Sequence, residues 1–501
     1  MQMTPTNWAT QASPRHETTR RMTATAAGSA LLLLALAVHL GGCGADETEA
    51  TAKAAPTTYT FAGRFGTGSG VSYTGQVHRQ VLMKDLSAWI GGLTAEIDGG
   101  KAMKAGDVEA GCDFYYAYDA AVGADVAIRL TTVPGALQTK LGDLSSKNLK
   151  AKFAGNDPIG QHKDWTKALA GWAGQSSAEG LLRSWFVALD AAAVARGAGT
   201  PGKAPDGTDL KVVHVSAAGH NYQELIAKFL GMAVSFSQGV DDYLDDDLAG
   251  KGLGSDHTKP EADGAAYTAL AHAWDEAFGY FGAARDYGDY TDDEIAGKAG
   301  RDGWKNGYHD QNGDGKIDLR SEMNFGHATN AAKRDRGAKA LAATDSSKAA
   351  FDAFLAGRHL IASASTTLTA AQLGELRGYR DAAVQAWELA IAATLVHYMN
   401  ELLQDMKKFG AAEYDFYAHA GHWSELKGFA LGLQFNRRSP LKAADFATLH
   451  TLIGDAPVLA NRAAADITAY QKAVRDARAL LAVAYDFDAK LLGDDDGAGG
   501  W

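Results

Sequence analysis

The feature that most restricts the fold is one apolar stripe. Tyr222, Leu225, Ile226, Phe229, Met232, Ala233, Phe236, Val240 and Tyr243 recur at three- and four-residue intervals, the spacing that places side chains on one face of an α-helix. Such a face must be buried against another element, and the neighbouring sequence offers mainly helices as partners. A second stripe runs through Tyr267, Leu270, Trp274, Phe278 and Phe281. A third spans about Ala370 to Phe409, with Thr369 and Gln372 as a capping box and Gly410 as its stop. Ser176 with Glu179 reads as the start of a helix holding Leu182, Trp185, Phe186 and Leu189. Further helices are expected at about 76–94, 347–362, 412–432, 442–453 and 460–491. Strand signals are few: Tyr59 to Phe61, Val71 to Tyr73, Val126 to Thr132 and Val212 to Val215. The expected fold is mainly α, built of helical bundles with minor short strands.

The first 42 residues read as a leader rather than as part of that fold. Arg15, Arg20 and Arg21 form a basic segment, Ala30 to Leu40 is apolar, and Leu40, Gly41, Gly42 and Cys43 make a lipobox-like ending. Export machinery reads these three parts in this order. The 11-residue apolar run falls short of the roughly 20 residues that cross a bilayer. Arg20 and Arg21 lack the apolar neighbours of a twin-arginine signal. The expectation is a signal peptide over 1–42 and a lipid on Cys43, which would anchor the chain to the cell envelope. Gly44 carries no Asp retention signal, so in a Gram-negative cell the outer membrane is the expected address.

Residues 43–58 read as the lipidated cysteine and a flexible acidic tether, because GADETEATAKAAPTT has almost no large apolar group. The remaining chain, 59–501, is long enough for one large helical domain or two subdomains. A boundary is expected near 196–209, where RGAGTPGKAPDGTD is rich in Gly and Pro and lacks apolar periodicity. The net charge is −12, and the leader holds three Arg and one Glu, which leaves the rest near −14. An acidic chain without a basic stripe is a poor partner for nucleic acid. With only Cys43 and Cys112 present, acylation of the first precludes an internal disulfide. Cys112 reads as a small buried apolar residue.

Residues 285–335 are expected to be an irregular insertion, and they contain the most specific chemical pattern in the chain, DQNGDGKIDLRSE. It resembles the calcium loops of EF-hand and dockerin modules. Asp310, Asn312 and Asp314 supply hard oxygens at alternate positions, Gly315 permits the tight turn, and Lys316 offers its carbonyl. Asp318 would bind directly or through water. At position twelve, where a bidentate Glu is the rule, stands Ser321, and the carboxylate comes one residue later at Glu322. The reading is a structural calcium ion held by a widened loop, against the plainer reading of an Asx-rich turn without an ion.

Histidines supply weaker candidates for a polar site. His220 with Glu224, and His397 with Glu401, stand four residues apart and would share helical faces. Two such pairs meeting between helices would hold a transition metal, whereas the simpler reading is two ordinary i,i+4 polar pairs. HAGHWSELKGF adds His419, His422 and Glu425 amid aromatic residues. A nucleophile elbow, a phosphate loop, paired CxxC motifs and HExxH are absent from the sequence, so enzymatic function has no supporting template.

Five blocks in order resemble one family: VSYTGQVHRQVLMKDL, HNYQELIAKFLGMAVSFSQGVDDYL, WDEAFGYFG, DGKIDLRSEMNFGHATNAAKRD and HWSELKGFALGLQFN. They are similar to the bacterial lipoproteins catalogued as domain of unknown function 4856. That resemblance covers nearly the whole mature chain and implies a helical envelope protein, with an architecture like that of the imelysins that members often accompany. It links the chain to iron or nutrient uptake. The imelysin GxHxxE motif has its nearest counterpart in Gly219, His220 and Glu224, with both spacings different. The expectation is a non-enzymatic envelope binding module with a structural calcium ion and a nutrient, metal or envelope-protein partner. An imelysin-like metallopeptidase and a structural or adhesive envelope protein are the alternatives.

Overall fold

The computed structural model describes residues 55–130 and 133–501. The expected signal peptide, Cys43 and most of the tether lie outside the described residues, as does the end of the Val126–Thr132 segment. The described chain belongs to one compact unit, and its mainly helical character agrees with the sequence reading. In chain order the α-helices are α1 (Thr74–Asp98), α2 (Asp107–Tyr116), α3 (Ala120–Gly123), α4 (Ala178–Gly197), α5 (Tyr222–Leu230), α6 (Ala269–Phe281) and α7 (Asp292–Ile295). They are followed by α8 (Gly326–Ala338), α9 (Ser346–Ser363), α10 (Ala370–Lys407), α11 (Phe416–Gly432), α12 (Ala443–Ile453) and α13 (Ala464–Tyr485). Among the described residues no helix is long and apolar enough to cross a membrane.

Helix α10 occupies the middle of the packing and contacts α8, α9, α11 and α13. Its start is the capping box read from the sequence: Thr369 Oγ1 accepts from Gln372 N at 3.2 Å, and Gln372 Oε1 accepts from Thr369 N at 2.9 Å. Its end lies just before Gly410, whose φ of +82° suits a residue without Cβ. Ala383, Trp387, Ile391, Leu395 and Leu402 are all buried. The Trp387 indole meets the rings of Phe236, Phe281, His327 and Phe354, and thereby ties four segments to α10.

The opening stripe behaves differently from a simple α-helix. Helix α5 is capped by Asn221, but after Leu230 the chain winds in wider π turns over Gly231–Phe236 and Gly239–Tyr243. Met232, Phe236 and Val240 stay buried, yet so do Ser235, Ser237, Gln238, Asp241 and Asp242. The polar side of this segment is therefore interior as well. It is satisfied in part by Gln161 Nε2, which donates to Ser237 Oγ at 3.0 Å, and by His162 and Lys251, which pair with Asp241 and Asp242 at 2.7 and 2.6 Å.

Several local expectations shift. The helix expected from Ser176 starts one residue later: Ser177 Oγ caps Gly180 N at 3.2 Å, while the Ser176 carbonyl accepts from Leu169 N at 2.9 Å. Among the described residues two of the four strand signals carry isolated β-bridges, Ala127 with Lys140 and Val215 with Asn221, while Tyr59–Phe61 and Val71–Tyr73 only flank the bridge between Ala62 and Ser69. Their apolar residues pack onto helices instead of onto a partner strand. Tyr59 stacks on Phe278 at 3.7 Å and donates to Asp275 Oδ1 at 2.9 Å. Inside the region expected to be irregular, α7 and the first part of α8 form. The stretch from Arg196 to Asp209 passes from the end of α4 into a surface loop. Its Ala204, with Leu210, Val215, Phe416, Ala420 and Leu459, builds a small satellite core. After α13 the chain returns to α10 and α8: Asn400 Nδ2 donates to Trp501 O at 3.2 Å, and the Trp501 indole donates to Arg334 O at 3.1 Å.

Two buried histidines make the fold sensitive to acid. Burial holds His78 (0% exposed) and His327 (4% exposed) at about 4 rather than near 6.5. Below pH 6.5 the unfolded chain takes up protons that the folded chain refuses, so stability falls as pH drops from about 6.5 to 4. Each histidine contributes a slope of at most about 1.4 kcal/mol per pH unit. Denaturant midpoints measured from pH 7 to 4 should decline, and His78→Gln or His327→Gln should flatten the decline even where it lowers stability at pH 7.

Candidate functional site

Helices α1, α5, α8, α10 and α11 converge around a cavity of about 300 Å³. Its walls carry an excess of positive charge: Lys84 from α1, Lys228 from α5, and Lys333 and Arg334 from α8. Tyr398 of α10 and Glu425 and Phe429 of α11 complete the opposite side. Helix α8 presents this face because Ala328, Ala331, Ala332 and Ala338 form a buried stripe of small residues that lets the helix approach α10 closely.

The four cations are not equivalent. Lys228 lies 2.8 Å from Glu224 and 2.9 Å from Glu425, and Tyr398 donates to Glu425 Oε1 at 2.6 Å. Burial alone would lower the Lys228 ammonium, but Glu425 and Glu224 overcome this and raise it. The side chains of Lys84, Lys333 and Arg334 make neither an ion pair nor a hydrogen bond among the described residues. Arg334 Nε is both buried and without an acceptor. Lys84 and Lys333 are solvent-exposed and Arg334 is half-buried; partial desolvation lowers all three, and Lys228 is the largest repelling neighbour of Lys84 and of Lys333. The cavity thus concentrates positive charge that Glu425, Glu401 and Asp335 offset only from a distance at Arg334, without a direct ion pair.

Beside the cavity runs a polar seam that contains most of the histidine and carboxylate candidates. His422 Nδ1 lies 2.7 Å from Asp405 Oδ2, and His419 Nδ1 lies 3.7 Å from the same oxygen. Burial would raise the Asp405 carboxyl, but the two imidazoles hold it down at about 2. His422 is correspondingly raised by Asp405 against its own desolvation. His419 is fully buried and its Nε2 donates to Val458 O at 3.2 Å. His397 is held at about 3 by burial and by Arg334. Glu401 acts electrostatically on both Arg334 and His422. His397, Glu401, His422 and Glu425 therefore come together at the edge of the cavity, and Glu224 joins them through Lys228.

His220 does not. It precedes α5, so it shares no helical face with Glu224, and its Nε2 donates to Asp455 O at 2.8 Å. The i,i+4 reading fails here because Asn221 takes the cap position and the helix begins only at Tyr222. Cys112 is buried, and desolvation raises its thiol well out of the nucleophilic range.

The acidic loop has the turns that its sequence predicts. Asp310 Oδ1 accepts from Gly313 N at 2.8 Å and Asp314 N at 3.1 Å, and Asp310 Oδ2 accepts from Gly315 N at 2.8 Å. Asn312 Oδ1 accepts from Asp314 N, and Asp314 Oδ1 from Lys316 N, each at 2.8 Å. Gly315 has φ +80°. The later ligands are committed elsewhere. Asp318 holds the Arg320 guanidinium by two contacts at 2.8 and 2.9 Å and accepts from Gln138. Glu322, 2% exposed, clips the loop by accepting from Gln311 N and Asp318 N at 3.1 and 2.7 Å. Among the described residues no three His, Cys, Asp or Glu side chains stand close enough together to hold a metal ion. Asp310, Asn312, Asp314 and the Lys316 carbonyl fit a hard cation by chemistry, whereas Asp318 and Glu322 would have to exchange partners first.

Residues 138–296 match the family model described as Domain of unknown function (DUF4856). The match bears out the resemblance read from the sequence over that segment, just under a third of the chain. No curated protein and no solved structure matches the chain. The DUF4856 segment brings Ala227, Lys228 and Gly231 to the cavity. Lys84, His327, Lys333, Arg334 and Glu425 come from outside it, yet from blocks that carry the resemblance.

The sequence reading singled out Glu425 and Glu224 but passed over Lys84, Lys228, Lys333, Arg334 and Tyr398. A signal existed for α8. Ala328, Ala331, Ala332, Asp335 and Ala338 recur at helical spacing, and Lys333 and Arg334 fall off that stripe. Small residues give a weak apolar signal, so the helix was hidden inside a region of polar composition.

Proposed function

We propose that this protein is an envelope-anchored binding module that holds a small anionic ligand in the cavity between α1, α5, α8, α10 and α11. The observation that carries this reading is the set of three cations, Lys84, Lys333 and Arg334, that face one cavity and make no ion pair or side-chain hydrogen bond among the described residues. Lysine and arginine near water normally sit in bulk solvent or against a carboxylate. Gathering several at one concave site costs stability, which an anionic ligand returns on binding. An anion-capturing module on an envelope tether would serve nutrient uptake. Isothermal titration with small carboxylates and phosphates, beside neutral molecules of the same size, should show selective binding of the anions. Arg334→Gln should weaken that binding by about 10- to 100-fold, the scale of one charge-assisted hydrogen bond, with little change in melting temperature. Binding of neutral and anionic molecules alike would overturn the reading.

The envelope address rests on the leader pattern and Cys43. Cys43→Ala should abolish metabolic labelling with a radioactive fatty acid in the expressing cell, and persistent labelling would remove that attachment site.

Calcium is proposed as a structural ion for the 310–322 loop, supported by the three Asx-type turns and the left-handed Gly315. Asp310, Asn312, Asp314 and the Lys316 carbonyl would hold it. Calcium added to metal-free protein should raise the melting temperature with half-saturation between micromolar and millimolar, the range of extracellular loops. At 100 times the dissociation constant the gain should be about 2.7 kcal/mol. Asp310→Ala should remove the response, and no response at ~10 mM calcium would exclude the ion.

A further inference from the structure

We infer that the cavity selects a small organic anion carrying at least two negative charges, a phosphate monoester or a dicarboxylate, over a monoanion of the same size. This rests on the reading of the cavity as an anion site and goes further by fixing the charge number and the body of the ligand.

The charge number follows from which cations are already neutralised. Lys228 has Glu224 and Glu425 within 2.9 Å, a triad with one net negative charge, and among the described residues Glu425 is the one acidic side chain in the cavity wall. Lys84 on α1, and Lys333 and Arg334 adjacent on α8, add three positive charges, so these six groups together hold two positive charges in excess. One negative charge placed among them would leave one positive charge uncompensated. Two negative charges leave none. His327 adds none, since burial keeps it neutral in ordinary buffers, and Tyr398 is occupied in donating to Glu425.

The donor geometry favours oxyanions. No terminal nitrogen of Arg334 has a protein acceptor among the described residues, so its planar fork can take two oxygens of one carboxylate or phosphate. Lys84 and Lys333 are point charges on flexible stems and reach a second anionic group from two different helices. The Trp501 indole holds the Arg334 carbonyl at 3.1 Å, which fixes the backbone from which the fork extends.

The body of the ligand follows from the remaining wall. Met83, Ala227 and Phe429 also line the cavity, and its volume of about 300 Å³ exceeds what an inorganic ion fills. Phe429 lies beside the Lys228 ammonium, 5.9 Å from the ring centroid, so apolar surface adjoins the charged end. A short carbon skeleton bearing two charges satisfies both parts of the wall.

The test titrates the whole chain, in detergent if the lipid is present, with succinate, monomethyl succinate, glycerol 3-phosphate and neutral glycerol at one low salt concentration. Succinate and glycerol 3-phosphate should bind at least 10-fold more tightly than monomethyl succinate, and that ratio should shrink as sodium chloride is raised. Lys84→Met and Lys333→Met should each reduce the ratio. Lys84→Arg and Lys333→Arg should restore it, which separates loss of charge from loss of fold. Equal binding of succinate and monomethyl succinate would overturn the inference and leave the anion site standing. Absence of binding by all three anions would overturn the anion site itself. Vesicles containing phosphatidic acid form a separate arm: binding to them that succinate fails to displace would assign the dianion to a lipid headgroup and overturn the soluble ligand.

Discussion

The burial of α10 on nearly all sides is the constraint on which the rest of the molecule depends. A surface helix has one apolar stripe, but a helix surrounded by others must be acceptable to the interior around most of its circumference. Helix α10 achieves this over Ala383 to Met406 with alternating large and small residues, so that Trp387, Leu395 and Met399 fill space while Ala383, Ala390 and Ala393 admit close neighbours. Each of α8, α9, α11 and α13 takes its position from one side of it. The polar residues that α10 buries are therefore expensive and must be satisfied. Asn400 is bonded to the 493–501 segment and Arg478, Asp405 to two histidines, and Glu388 to Asn436, Ser439 and Tyr485.

That arrangement explains which parts of the fold could be read from the sequence. Large apolar residues at helical spacing mark α6, α10 and α13 because burial of Trp, Phe and Leu dominates the energetics. Helix α8 escaped because alanine buries little area, and its identity as a helix depends on a neighbour that the local sequence does not contain. The π turns after Leu230 escaped for a related reason. The apolar stripe from Tyr222 to Tyr243 fits a straight α-helix about equally well, and only the packing of Asp241 and Asp242 against His162 and Lys251 distinguishes the wider winding. Short strand-like segments such as Tyr59 to Phe61 misled in the opposite direction, since a strand needs a partner and these found helices.

The candidate site was legible only in fragments. His397, Glu401, His422 and Glu425 could be named as polar residues on helices, but the lysines and the arginine that give the cavity its character look like ordinary surface residues. Nothing local distinguishes Lys84 from the many other lysines in the chain. What distinguishes it is the company of Lys228, Lys333 and Arg334 from two other helices around one cavity, a property of tertiary structure. His220 shows the converse: a suggestive spacing lost its meaning when Asn221 became a helix cap.

The bond from the Trp501 indole to the Arg334 carbonyl joins residues 167 positions apart in the chain. The backbone beneath Arg334 therefore gains this restraint only when the distant 493–501 segment packs back onto α8 and α10. Lys84 and Arg334 both repel Lys333, and the bond holds the backbone of the arginine against that repulsion. Removal of the 493–501 segment would undo that fastening and at the same time take from Asn400, buried in α10, one of its hydrogen-bond partners.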